Sequence, residues 1–153
     1  MSKDEFKIRE YEERDKEALL SILKLNTPNF FAASEEDDFV FYLENELEYY
    51  YVIEYNEVIV GGGGINLKKE NKEAFISWDL LHPDFQRKGI GVQLLNHRLE
   101  KIKTIPHINK ITVRTSQHAF VFYEKSGFKT IEIVKDFWAP SFDLYRMEIK
   151  LFF

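Results

Sequence analysis

The sequence predicts a mixed α/β (α+β) fold: one central, mixed and mostly antiparallel sheet with helices on both of its faces. Three observations lead there. Periodicity along the chain gives the element order β-α-α-β-β-β-α-β-α-β-β. Three strand signals follow one another in the middle, which an all-parallel doubly wound sheet does not accommodate. No repeat, low-complexity stretch or linker interrupts the 153 residues, so residues 1–153 are expected to form a single domain.

The elements follow in order. Residues 6–9 form a short strand candidate. Residues 13–25 read as a helix, with Ala18, Leu19, Ile22 and Leu23 on one side and Asp15 and Glu17 in the first turn. Thr27-Pro28-Asn29 breaks it. Ser34 followed by Asp37 is a capping pattern for a second helix to about Asn45. Residues 49–54 and 58–67 flank Tyr55-Asn56-Glu57 as a hairpin. Residues 68–73 are a charged turn, 74–81 a strand, and His82-Pro83-Asp84 ends it. Residues 89–103 form an amphipathic helix whose expected buried stripe is Val92, Leu95, Leu99 and Ile102. Residues 110–115 are a strand, and 117–126 a short helix closed by Gly127. Two last strands, about 129–134 and 143–151, enclose a loop with Trp138 and Pro140.

A chain of ~150 residues buries roughly two-thirds of its unfolded surface, and 44% hydrophobic with 16% aromatic residues supplies the material for a core. The absence of cysteine removes disulfides, thiolate metal sites and a cysteine nucleophile. The charged start Met1-Ser2-Lys3-Asp4-Glu5 leads into no apolar signal region, and no apolar run has the length of a membrane span. The expectation is a cytoplasmic protein with no membrane association. A net charge of −5 argues against nucleic acid as partner.

The chemistry concentrates in residues 75–95. A strand, a short loop and a helix beginning at Gly89-Ile90-Gly91 make a natural anion site. The first turn of a helix has unpaired N–H groups and the positive end of its dipole. Glycines leave those groups open, and Arg87 and Lys88 add positive charge. The pattern Gln86-x-x-Gly89-x-Gly91 after a strand, with Leu94-Leu95 inside the helix, resembles the GNAT superfamily of N-acetyltransferases. A second motif, Ala119-Phe120-Val121-Phe122-Tyr123-Glu124-Lys125-Ser126-Gly127-Phe128, about 30 residues downstream, is similar to the family's tyrosine helix.

The resemblance implies a GNAT-like fold and acetyl-CoA as acyl donor, with its pyrophosphate cradled by Gln86, Arg87, Lys88, Gly89, Ile90 and Gly91. It implies that the backbone of Leu80, Leu81 and His82 pairs with the pantetheine arm like an added strand. It also implies direct transfer to an amine, with a backbone N–H of the strand ending at Leu81 holding the oxyanion. Tyr123 is the expected acid for the departing thiolate; the alternative is that it only packs. Seven residues before it the family often has Asn; this chain has Ser116, which either touches the cofactor or caps the following helix. Where relatives often carry a basic Glu, this chain has Phe75. Asp79, directly or through water, is then the candidate base, with Glu73 the other carboxylate of the strand. On ideal alternation Phe75, Ser77, Asp79 and Leu81 share a face, although a bulge in the strand would invert part of that set.

His82 follows the strand implied to meet the pantetheine and His118 starts the tyrosine helix, so either could face the cleft, whereas His97 and His107 are expected at the surface. No His/Asp/Glu grouping has metal-ligand spacing, so no metal is expected. Gly61-Gly62-Gly63-Gly64 lacks a P-loop ending and reads as a strand that another group approaches closely. Phe30, Phe31, Phe137 and Trp138 are bulky residues in loops that ordinary packing explains; the resemblance implies that these segments build the acceptor pocket, which makes them candidates to line it. Residues 25–67 hold nine carboxylates and no Lys or Arg, whereas residues 68–153 hold a net +5. That asymmetry points to a cationic acceptor, a small molecule or a peptide, on the acidic side. The terminal Leu151-Phe152-Phe153 is a surface that a second subunit would bury as a homodimer. The reading from a different class is a non-catalytic acyl-CoA-binding sensor or interaction module on the same fold.

Overall fold

A computed structural model describes residues 6–151. Met1–Glu5 and Phe152–Phe153, and with them the expectations for both termini, lie outside the described residues. Seven strands form one sheet in the order β1-β2-β3-β4-β5-β7-β6. They are β1 (Phe6–Glu10), β2 (Tyr49–Tyr55), β3 (Val58–Lys68), β4 (Glu73–Leu81), β5 (Lys110–Thr115), β6 (Lys129–Ala139) and β7 (Phe142–Lys150). Only β4 and β5 run parallel. The helices are α1 (Lys16–Leu25), α2 (Glu35–Asn45), α3 (Ile90–Lys103) and α4 (Phe120–Lys125). Class and element order agree with the sequence expectation.

The sheet is covered on both faces. Leu19, Ile22 and Leu23 of α1 and Phe39, Tyr42 and Leu43 of α2 pack with Tyr50, Val52 and Leu80 on one face. Ile90, Leu94, Leu95 and Ile102 of α3 pack with Ile53, Ile76, Ile111, Val113 and Met147 on the other. Strand β2 shows the period of two, with Tyr50 and Val52 turned to the first helices and Tyr51 and Ile53 to the second pair. Its hairpin to β3 closes on Asn56 and Glu57, both at positive φ (47° and 71°), the backbone that a two-residue turn matched to strand twist requires.

Four local expectations change. Ser34 caps nothing with its side chain; the buried Glu35 carboxylate instead accepts from the Ala32 N–H at 2.7 Å. The long carboxylate reaches back further than a serine hydroxyl and satisfies a donor outside the helix. The chain ahead of α4 is a turn, so that helix starts at Phe120 rather than at 117. Residues 135–139 belong to β6, so Phe137 and Trp138 stand on a long hairpin, closed at Pro140-Ser141, and not in a loop. Gln117 holds that hairpin through both ends of its amide, to the Ser141 carbonyl (2.6 Å) and the Asp143 N–H (2.8 Å). Finally, the buried stripe of α3 is Ile90, Leu94, Leu95, Arg98 and Ile102; Val92 is exposed and Leu99 half-buried.

Candidate active site

Strands β4 and β5 pair only over Glu73–Ile76 and Lys110–Val113. Beyond that point β4 continues beside β3, and β5 beside β7. Among the described residues no strand pairs with 77–81 on the β5 side, so a stretch of β4 backbone is open toward the gap. Its end is held from the other side. Asn26, buried at the end of α1, donates to the Leu81 carbonyl (3.0 Å), and the His82 N–H donates to Val60 (2.7 Å). Leu80 points into the α1/α2 core and Leu81 packs against the α3 side.

The glycine loop sits beside this open edge. Gly89 takes φ +76°, a left-handed conformation that suits glycine, and nothing lies within 4 Å of where its Cβ would be. Gln93 is the first residue of α3 whose N–H returns to Gly89, which leaves the N–H groups of the opening turn unpaired. Gln86 donates to the Asn26 side chain (3.2 Å), so it anchors the loop to α1. Arg87 and Lys88 are exposed, and the Lys88 ammonium lies 5.6 Å from the Phe85 ring centre. A Cβ at Gly91 would sit 3.2 Å from the Phe122 ring and 3.8 Å from Leu81. The first turn of α3, the end of β4 and helix α4 therefore meet at Gly91.

At the centre lies an ion-paired cluster. Register between β3 and β4 slips so that Trp78 and Asp79 together face Gly63, with Trp78 at φ +47°. This is a β-bulge. It inverts the alternation: Ser77 bonds Asn66 on the α2 side, whereas Asp79 and Leu81 turn to the α3/α4 side. The Tyr123 hydroxyl donates to Asp79 Oδ2, and Arg98 Nη2 donates to Asp79 Oδ1. Arg98 is fully buried and also donates to the carbonyls of Gly64 (3.1 Å) and Leu94 (3.3 Å). Burial pushes the Tyr123 phenol well above its ordinary value; the Asp79 charge and the Asp79 hydrogen bond add to this, and Arg98 opposes it. The phenol therefore keeps its proton at neutral pH. The glycine run has its close approach here: a Cβ at Gly63 would fall 2.6 Å from the Arg98 guanidinium carbon, and one at Gly62 2.9 Å from Leu19.

The other candidates are dispersed. Glu73, at the far end of β4, accepts from Thr112 at 2.5 Å and lies 3.7 Å from Lys110. The Ser116 hydroxyl accepts from the His118 N–H at 3.2 Å, so it is used within the turn and does not cap α4 itself. His82 Nδ1 accepts from the Asp84 N–H, and the His118 ring packs on Phe142. Phe31 stacks on Trp78 at 6.1 Å. Arg114 lies over both Phe137 and Trp138. No group of three or more potential metal ligands occurs among the described residues.

The acidic block is also less free than its composition suggests. Glu36, Glu44 and Glu54 pair with Lys24 (3.4 Å), Lys16 (2.7 Å) and Arg9 (2.8 Å), all from the preceding segment. Glu35 and Glu48 accept backbone N–H groups. Sequence reasoning missed Arg98 and Asn26. The signal for Arg98 was a charge in register with Leu94 and Ile102 at a spacing of four; Asn26 gave none.

A family model described as an acetyltransferase (GNAT) domain matches residues 15–151. The chain belongs to that family. An N-alpha-acetyltransferase of Sulfurisphaera tokodaii is 27% identical over 164 aligned positions, covering 96% of this chain and 94% of the relative. The cysteine-rich protein 2-binding protein of Mus musculus is 34% identical over 101 residues, which are 65% of this chain and only 12% of that protein's length. The solved ribosomal-protein-S18-alanine N-acetyltransferase of Escherichia coli superposes with a TM-score of 0.80 at 17% identity, over 97% of this chain and 96% of the other. That likeness is one of fold. The family and the sheet architecture expected from the sequence are thereby both met.

Proposed function

We propose that this protein transfers an acetyl group from acetyl-CoA directly to a primary amine of a small molecule or peptide. The observation that carries the reading is the meeting at Gly91 of the unpaired first turn of α3, the open end of β4 and the tyrosine helix. Phosphate groups fit the N–H groups around Gly89 to Gly91 with Arg87 and Lys88. A pantetheine amide fits the free backbone of Leu80 to His82. Ser116 and Gln86 bear on the cofactor through the turn and the loop that they hold.

In the reaction the amine loses a proton to Asp79, directly or through a water, and attacks the thioester carbon. The oxyanion is held by a backbone N–H near Leu81. The carbon–sulfur bond then breaks and Tyr123 gives its proton to the thiolate. The second proton of the acetylated nitrogen returns to the Tyr123 phenolate, and the proton on Asp79 leaves to solvent. A carboxylate offers about four acceptor positions. Asp79 is one-fifth exposed and has donors on both oxygens, which leaves it room for a further donor. The resting Tyr123 hydroxyl points at Asp79, so delivery to sulfur requires it to turn. A thiolate of pKa ~8.5 takes a proton from a phenol only when so positioned.

That same hydrogen bond favours a second reading, a non-catalytic acyl-CoA sensor in which Tyr123 is structural. The two part on one experiment: thiol release from acetyl-CoA with peptide, polyamine, aminoglycoside and amino-acid amines, for the native protein and Tyr123→Phe. Amine-dependent release that falls ~10²–10⁴-fold in the variant, with acetyl-CoA affinity kept, supports the enzyme. Acetyl-CoA binding without release by any amine supports the sensor. A cationic acceptor has as support the carboxylates given neither an ion pair nor a hydrogen bond among the described residues, Asp37, Asp38, Glu46 and Glu57. Its Michaelis constant should rise with salt, since exposed charges are screened over ~10 Å at 0.1 M.

A further inference from the structure

Arg98 is an expensive residue to have in this core. Its side chain is fully buried, and replacing a buried ion pair by apolar side chains of similar volume is often neutral or stabilising. Accommodating it constrains two other positions. Gly63 can carry no side chain, because a Cβ there would overlap Asp79 and the Arg98 guanidinium. Trp78, a bulky residue, adopts a left-handed backbone so that the next residue turns toward α3. All three features converge on one carboxylate, whose second oxygen receives the Tyr123 hydroxyl. Arg98 is also held rigidly by the Gly64 and Leu94 carbonyls, so it fixes Asp79 against β3 and α3 together.

We propose that Arg98 is a positioning residue for acetyl transfer: by clamping Asp79 it sets where the Tyr123 hydroxyl stands, without touching either substrate. This rests on the reading of Tyr123 as proton donor. The opposite case is an ion pair that only fastens α3 to the sheet.

The test measures kcat and the acetyl-CoA KM of Arg98→Met and Arg98→Lys, each with Tyr123 and with Tyr123→Phe, on protein checked as folded by circular dichroism. Tyrosine-Cζ carbon NMR of the unliganded protein adds a second readout, the Tyr123 resonance being the one lost in Tyr123→Phe. Misplacing a reacting group by about 1 Å costs on the order of a hundredfold. Arg98→Met should lower kcat by about ten- to a hundredfold while KM stays within about threefold. Arg98→Lys should recover part of that loss, since one ammonium can keep one Asp79 contact. Once Tyr123 is Phe, each variant should cost clearly less than it does with Tyr123 present, the remainder being the displacement of Asp79 as base, and both should move the Tyr123 resonance. A loss of equal size in the Tyr123→Phe background, an unchanged kcat, or an unmoved resonance overturns the proposal. If Arg98→Met does not fold, Arg98→Lys and its resonance decide alone. If Tyr123→Phe leaves kcat intact, the reading of Tyr123 fails by itself. If Tyr123→Phe lowers kcat and the Arg98 variants do not, only the clamp fails.

Discussion

Removing either partner of the Arg98–Asp79 pair should cost very different amounts, and burial says which costs more. Asp79→Ala leaves a guanidinium with no solvent access and no counter-charge. Breaking a buried pair in that way destabilises by about 3–5 kcal/mol. Against a total of about 5–15 kcal/mol for a native protein, that is a large fraction of the whole. With a urea m-value of about 2 kcal/mol/M, the unfolding midpoint should drop by roughly 2 M. Arg98→Met strands less. Asp79 keeps the Tyr123 hydroxyl and one-fifth of its side chain is in water, so the main losses are the donors to Gly64 and Leu94. At ~1 kcal/mol for a typical hydrogen bond, about 1–2 kcal/mol is expected. The double variant should be more stable than Asp79→Ala alone, a coupling of about 2 kcal/mol or more. Urea unfolding followed by circular dichroism at constant pH measures all four. Equal losses in the two single variants, or a loss below about 1 kcal/mol for Asp79→Ala, would refute the burial argument.

Two further outcomes follow from the same geometry. Gly89→Val should weaken acetyl-CoA binding by about tenfold or more in calorimetry, because it blocks N–H groups in the anion-binding turn. Gly127→Ala, which also replaces a glycine at positive φ (102°), should carry the backbone strain without the loss of affinity. An unchanged affinity in folded Gly89→Val would remove the phosphate loop. The second outcome is an alkaline limit. Burial raises the phenols of Tyr42, Tyr50 and Tyr123 above their ordinary value of about 10. The unfolded chain then loses protons first, so this stabilisation is complete below pH ~10 and declines above it, by about 1.4 kcal/mol per pH unit for each phenol. Tyr123→Phe should make that decline shallower by one such increment, and an unaltered slope would mean that the phenol ionises in the folded protein as it does in the unfolded chain.

What the sequence revealed and what it hid separate along the distance over which each signal acts. The glycine turn at 89–91, the tyrosine helix and the Asn56–Glu57 hairpin are written in consecutive residues, and each stands where local chemistry puts it. The faces of β4 were not legible, because a single extra residue at Trp78 reverses every side chain after it. Only that reversal brings Asp79 to Tyr123. The stripe of α3 was misplaced for a related reason. A reading that seeks apolar residues prefers Val92, Leu95, Leu99 and Ile102, whereas the buried face runs through Leu94, Arg98 and Ile102. A charge inside an apolar register looks like an error until Gly63 is set opposite it. Each observation has a mundane explanation alone, a solvated arginine or a flexible glycine. Together, an arginine in a buried stripe and a glycine run on a central strand specify a guanidinium lying against a backbone, and a buried guanidinium requires a carboxylate. The in-strand candidate was Asp79. The acidic segment fails in the same way, since Lys16–Glu44 and Arg9–Glu54 are neighbours in space and 28 and 45 residues apart along the chain. Counting charge by segment treats as surplus what the fold has already paired.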